Sequence, residues 1–380
     1  MDLWLILYII DGALFIGVAF TTLYLMVFSI ASHFTKHTHV VKAKRQNRFI
    51  VLIPAYKQDH VILQSVMSIL GQSYPQRLFD VIVISDHESE MTNMHLAQYP
   101  ITLLTPNFEK STKGKSLQYA ILNLPEFKIY DAVVVLDADN IVESEFLEQV
   151  NNAYESAGTK AILAHRLPKN RDTPSARLDS IFEEINTSIF RRGHITLGLS
   201  AATTGSGIIF EFEWFKRNIM KVRTSGEDKE LEAMLLRQHV FVDYFDNIYV
   251  YDEKTRRTSD FNKQRGRWAF TQYRNLFKNI HNLLPAIFNR HYDYADKIIQ
   301  WMLIPRILAV AIIMLMSIIL PFIYFSLAVK WWVVGVLLGF AFAFATPNHL
   351  VDKHWDTDFI LLPYRIVKSL VKHIYWKLHR

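Results

Sequence analysis

The sequence predicts an α/β domain with a mostly parallel sheet, carried between long apolar helices at its two ends. Three observations point there. Short apolar runs alternate with helical patterns between residues 49 and 260, the signature of buried strands covered on both faces. Uncharged runs long enough to cross a bilayer flank that region,. The composition also needs two kinds of segment, because 51% hydrophobic residues coexist with 21% charged ones among 380, and mean hydropathy is +0.10. With no Cys, a disulfide framework, a Cys-ligated zinc site and a cysteine nucleophile are excluded,. Aromatic residues at 13%, with only 13 Gly and 12 Pro, argue against wholesale disorder,.

Along the chain, residues 12–32 form the first uncharged run and read as a retained anchor, being too long for a signal-peptide core and lacking a basic leader,. Lys36, Lys42, Lys44, Arg45 and Arg48 follow with no acid among them, which places residue 36 onward in the cytoplasm,. The strands are expected at 49–53, 81–84, 101–104, 132–136 and 161–164, with helices at 60–70, 116–122 and 141–150,. A second apolar run spans 307–329. Lys330 reads as a turn, and 331–346 as a third span with Trp331 and Trp332 at the membrane–water interface,. No charged pair is expected inside the spans. Residues 268–284 mix Arg274 and Lys278 with Phe270, Tyr273, Phe277 and Ile280, and 360–376 repeat Arg365, Lys368 and Lys372 on one face; both read as amphipathic helices on a membrane surface,.

The net charge of +6 sits in the flanks, since residues 49–351 carry 31 basic and 31 acidic side chains. A nucleic-acid partner is therefore not expected, and a lipid bilayer is. The organisation becomes a transmembrane helix at 1–35, a cytoplasmic domain at 48–263, a short linking and interfacial region at 264–296, two transmembrane helices at 297–351 and an amphipathic tail at 352–380. That is a multi-pass protein of the inner (plasma) membrane, its central domain facing the cytoplasm.

Chemistry is expected at the strand ends, where parallel sheets bind ligands. The first strand leads into Pro54-Ala55-Tyr56, the second into Ser85-Asp86, and the fourth into Asp137-Ala138-Asp139-Asn140. Two carboxylates after a buried strand suit Mg2+ or Mn2+, hard cations that keep phosphate oxygens as co-ligands; a helix cap is the plainer reading of the same residues. Glu227-Asp228 opens a helical pattern through Arg237, and first-turn acids are favoured there by the helix dipole alone,. In Gln264-x-x-Arg267-Trp268, the Arg suits a pyrophosphate and the Trp a sugar ring, and both also suit an interfacial anchor,. Residues 251–263, rich in charge, read equally as a mobile loop over the site or a solvated loop. His33, His37, His39, His165, His194 and His239 read as interfacial or structural.

The combination of Asp-x-Asp, Glu-Asp and Gln-x-x-Arg-Trp, in this order, resembles the membrane-bound inverting glycosyltransferases of family 2, the group of the cellulose, chitin and hyaluronan synthases, over residues 48–270. The resemblance implies a nucleotide-diphospho-sugar transferase fold (GT-A-like) with transmembrane and interfacial helices. It implies that Pro54, Ala55, Tyr56, Asp86, Lys113 and Asp137 hold a UDP-sugar donor and that Asp139 ligates the metal. Gly205, Ser206 and Gly207 would line the acceptor with Trp268, in a loop where glycine lets a sugar approach the backbone. Asp228, with Glu227, would act as general base, and Gln264, Arg267 and Trp268 would meet the pyrophosphate and the acceptor. Ser85 stands where the family has an Asp, and Gly226 where it has a Thr.

The implied reaction is a single in-line displacement. Asp228 takes a proton from an acceptor hydroxyl as that oxygen attacks the anomeric carbon, while metal and Arg267 carry the charge on the leaving diphosphate. The acceptor is expected to be a growing polysaccharide, with a lipid-linked acceptor (a polyprenyl phosphate or glycolipid) as the alternative. Three crossings make a poor polymer channel, so an oligomer or export partner would have to complete one. A silent scaffold for other membrane enzymes is the rival of a different class.

Overall fold

The computed structural model describes residues 3–35, 40–254, 258–347 and 350, without the side chains of 3, 6, 258–265 and 267–269. The tail at 352–380, with its expected surface helix, lies outside the described residues.

Helix α1 (Leu3–Ala31) leads into strand β1 (Phe49–Tyr56), helix α2 (Ile62–Leu70), β2 (Phe79–Asp86), α3 (Glu90–Leu96) and β3 (Thr102–Leu104). Then come α4 (Lys113–Leu122), β4 (Ala132–Val135), β5 (Ile141–Val142), α5 (Phe146–Ala157), β6 (Ala161–Pro168) and α6 (Pro174–Thr187). A π-helical turn (Ser188–Gly193) runs into the short α7 (His194–Thr196), followed by β7 (Ile208–Glu211), α8 (Phe212–Ile219), α9 (Glu227–Arg237) and β8 (Val242–Asp252). The described residues continue with α10 (Thr258–Asn279), α11 (Leu283–Phe288), α12 (Tyr292–Met302), α13 (Arg306–Ile323) and α14 (Phe325–Ala345).

The eight strands form one sheet in the order β3-β2-β1-β4-β7-β6-β8-β5. β3, β2, β1 and β4 run parallel, as do β6 and β8, while β7 and β5 run against their neighbours. Strand alternation explains why β1 is apolar throughout. Phe49, Val51, Ile53 and Ala55 point to the layer of α2 and α5, and Ile50 and Leu52 point to the layer of α4, α8 and α9, so neither face is left for water. Each such side chain contributes roughly 1.5–3 kcal/mol by burial, and the cores on the two faces hold the strand ends in place.

Several expectations are corrected by the structure. Ile141–Val142 is a strand paired with β8, not the start of a helix, and α5 begins only at Phe146. Residues 251–263 do not form one loop: Tyr251 and Asp252 end β8, and 258–263 belong to α10. Of the expected surface helix at 268–284, the part up to Asn279 is the end of α10, and α11 starts separately at Leu283.

Among the described residues three helices are long and apolar enough to cross a membrane, the candidate spans being Leu7–Phe34, Arg306–Ile323 and Phe325–Ala345. They pack on one another through Val18, Leu25, Ala309, Ile313, Trp331 and Leu338, and α6 joins the same core through Ile181 and Ile185. The turn between the last two falls at Tyr324, not at Lys330. Lys330 stays inside α14 because it has a partner: its ammonium pairs with Asp11 of α1, which is 2% exposed. The other Asp11 carboxylate oxygen accepts from Trp331 Nε1 at 2.8 Å, and Lys330 Nζ also lies 4.7 Å from the Phe15 ring centre. The spans thus hold a charged pair, and Trp331 is fully buried instead of interfacial. A buried carboxylate needs this kind of capping, since an unpaired one is costly in apolar surroundings.

The bundle and the sheet domain meet at the π-helical turn. A side-chain carbon at Gly193 would collide with the Phe28 carbonyl of α1, so only glycine allows that approach,. His194 stacks on Phe28, with ring centres 3.9 Å apart, and its Nε2 lies 2.9 Å from Tyr24 Oη and 3.1 Å from Asp296 Oδ2.

Candidate functional site

The parallel strands β1, β2 and β4 end along one edge, and their exits gather the polar residues singled out in the sequence. Tyr56 and Asp86 are register partners at the ends of β1 and β2. Tyr56 is exposed, whereas Asp86 is 1% exposed. Beyond β4, the backbone N–H of Asp137 donates to the buried Asn140 side chain at 3.0 Å, which folds Asp137-Ala138-Asp139 into a fixed turn.

Lys113 begins α4 behind its cap, Thr112, whose hydroxyl accepts from the Lys115 N–H at 3.2 Å. Its ammonium donates to Asp137 and, at 2.8 Å, to the Gly205 carbonyl. One cation therefore ties together the Asp-x-Asp turn and the loop before β7. Burial opposes its charge, but Asp137, Glu227 and Asp228 outweigh burial and hold its pKa above the ordinary lysine value. In turn, burial would raise Asp137, and Lys113 with Arg166 overcomes this and holds it below the usual carboxylate range.

Glu227 and Asp228 open α9, where the helix dipole favours negative charge,. They line a small cavity with Thr203, Thr204 and Gly205. Burial, with Asp228 alongside, pushes Glu227 up to about 7 against the pull of Lys113. Asp228 is flanked by Lys229, whose Nζ lies 3.8 Å away and also reaches the Thr203 carbonyl at 3.1 Å. Of the glycine loop, Gly205 faces the cavity, while Ser206 and Gly207 are buried behind it. Gly207 holds φ at 68°, the left-handed region that favours glycine,.

Sequence reasoning missed the acid and base on β6 and β8. Arg166 pairs with Asp252, which also takes Lys254 at 2.9 Å. Asp252 is buried beside Asp139: burial, then Asp137 and Asp252, pushes Asp139 up to about 6 although Arg166 opposes. The signal in the sequence is thin, an Asp at the end of the alternating run Val242–Asp252. Arg166 is set by its neighbour His165, whose ring contacts Glu184 Oε1 at 2.7 Å where the β6–β8 register slips by a bulge.

A divalent cation fits this corner. Among the described residues no lysine or arginine forms an ion pair with the Asp139 carboxylate, and burial with the neighbouring carboxylates raises its proton affinity. A 2+ ion relieves that crowding and accepts hard oxygen ligands. Asp139 would hold it, with Asp137 and Asp252 nearest, and when bound it would supply charge neutralisation for phosphate oxygens. Among the described residues no cluster of three or more His, Asp or Glu side chains is already gathered for a metal. Gln264, Arg267 and Trp268 lie on α10, and their side chains lie outside the described residues.

No curated protein matches the chain. Among solved structures, a mannosyltransferase from Pyrobaculum calidifontis, in complex with GDP-Man and Mn2+, aligns with a TM-score of 0.55 and 13% identity, covering 97% of this chain and 99% of that one. S. aureus TarS 1–349 aligns at TM-score 0.46 and 14% identity over 86% of this chain and 92% of its own. Its complex with UDP-GlcNAc aligns at 0.41 and 15%, covering 76% and 90%. Glycosyltransferase like family 2 matches residues 46–271, more than half of the chain, from before β1 into α10 and across every acidic residue of the strand-end site. The protein belongs to that family and is a glycosyltransferase that uses a nucleotide-sugar donor.

Proposed function

We propose that the protein moves a sugar from a UDP-sugar to an acceptor at the membrane surface, with inversion and with Mg2+ or Mn2+ at Asp139. The observation that carries this reading is the convergence on one sheet edge of a half-buried lysine tied to Asp137, a crowded carboxylate at Asp139 and a Glu-Asp pair facing a cavity. Tyr56 and Asp86 take the base, and Lys113 and Asp137 take the donor. Asp228, in the first turn of α9, removes the proton from the attacking hydroxyl,. The Pyrobaculum calidifontis neighbour, solved with GDP-Man and Mn2+, is consistent with a nucleotide-sugar donor and a divalent metal.

The helices α1, α13 and α14 span the membrane, with the catalytic domain on the cytoplasmic side as the basic flank directs,. Their outward residues, such as Ile318, Phe322, Val336 and Phe340, are exposed and apolar, as lipid contact requires,. The bundle interior is filled by Leu25, Trp331, Leu338 and Ala341. A filled three-helix bundle favours a lipid-linked acceptor that receives one sugar. The second reading is a growing polysaccharide, favoured by Gln264-x-x-Arg267-Trp268 on α10 and needing an oligomer or export partner for passage. Purified protein incubated with labelled UDP-sugars and Mn2+ separates the two: a discrete lipid-soluble product is expected, and a high-mass saccharide would establish the second reading. No transfer from any UDP-sugar would overturn both.

A further inference from the structure

The ends of β1 and β2 carry an arrangement that catalysis does not use. Lys57 and His87, the residues directly after the two strands, both hold left-handed backbone, at φ 56° and 63°. Such conformations cost free energy in residues other than glycine and persist where the surroundings impose them. Here the two turns are laced together. The Gln58 N–H donates to the Glu88 carboxylate at 2.7 Å, and the Ser89 N–H donates to Asp59 at 2.8 Å. The left-handed turn folds the His87 ring back onto the preceding residue, placing Nδ1 2.6 Å from Asp86 Oδ1. A carboxylate only accepts, so this nitrogen carries the proton. The other oxygen, Asp86 Oδ2, is buried and has no hydrogen-bond partner among the described residues.

Resting on the reading of this edge as the nucleotide site, we propose that His87 sets the base preference. With His87 on Oδ1, only Oδ2 is left unengaged among the described residues; that suits a pyrimidine with one ring N–H (uracil), whereas guanine, which presents two adjacent donors to a carboxylate, would need Oδ1 as well. Guanine would have to share the oxygen already taken by His87 or leave a donor unpaired, and an unpaired buried donor is costly. Tyr56, exposed beside His87 with ring centres 5.8 Å apart, gives the flat surface against which the base lies.

The test is equilibrium binding of UDP and of GDP, with Mn2+, to the full chain in detergent. Wild type is expected to bind UDP at least about tenfold more tightly than GDP. His87→Gly removes the donor without straining the left-handed turn and brings the two affinities within about threefold. His87→Asn tolerates that turn and keeps an N–H donor, and it retains the preference for UDP. Asp86→Ala weakens UDP by about tenfold. GDP bound as tightly as UDP by wild type, or a ratio unchanged in His87→Gly, overturns the proposal and leaves the donor site standing. Binding of neither nucleotide overturns the donor-site reading as well.

Discussion

Two Lys–Asp pairs, one in the helical bundle and one at the sheet edge, sit in surroundings that separate structural from chemical use. In the helical bundle, Asp11 has both oxygens filled, one by Lys330 and one by the Trp331 N–H, and apolar side chains close around them. At the sheet edge, Lys113 meets Asp137 in a place where Glu227, Asp228 and Asp139 also gather, so negative charge exceeds what one lysine can offset. A saturated pair holds helices together. An unsaturated one leaves carboxylates in tension, raises proton affinities and makes room for a cation or a substrate.

That contrast can be broken from either end. The largest effect is expected from Asp228→Asn, which should lower transfer by about a thousandfold with UDP binding intact, because removal of a general base costs about that much; single-turnover assays alongside UDP titration check it. Next is Lys330→Met, which strands Asp11 and should destabilise the fold by about 3–5 kcal/mol while leaving UDP affinity unchanged. Pairing it with Asp11→Asn should recover most of that loss, and thermal unfolding in detergent reads both. If Lys330→Met instead abolished transfer at full stability, the bundle pair would be chemical after all.

The smallest effect is a matter of pH. Glu227 titrates near 7 in the fold against 4.5 for an ordinary glutamate. The folded state therefore binds the extra proton between those values, so this group's contribution to stability falls as pH rises through the window. Activity should run the other way, climbing a few fold through pH 7 as the ionised form returns beside Lys113. Glu227→Gln should flatten both profiles, measured as pH–rate curves and pH-dependent unfolding. A limb near 7 surviving in Glu227→Gln would assign the titration to another group.

Strands buried on both faces were legible because their centres are unbroken apolar runs, at 49–55, 81–84 and 132–136, that lead into Tyr56, Ser85-Asp86 and the Asp137 turn. The lysine of the site was legible through resemblance, and its two partners, Asp137 and Gly205, lie 24 and 92 residues away along the chain. Arg166 and Asp252 were not, since a charged residue at a strand end shows its partner only after β6 and β8 are paired. Lys330 was misread for the same reason. Charge inside an apolar run signals a turn unless a carboxylate elsewhere meets it, and Asp11 stands 319 residues away. Ile141–Val142 shows the limit of periodicity, because two apolar residues fit a strand or a helix equally,.

The bare backbone contact between Gly193 and Phe28 has a mechanical meaning. With no side chain between them, the first apolar helix and the sheet domain touch at a fixed point instead of swinging on a tether. On the proposed placement of α1 in a membrane, the distance from the catalytic edge to that helix becomes a built-in ruler, and an acceptor would be measured by how far its reactive group stands above the apolar layer. Gly193→Ala would lengthen the ruler, so an acceptor of shorter reach should suffer first.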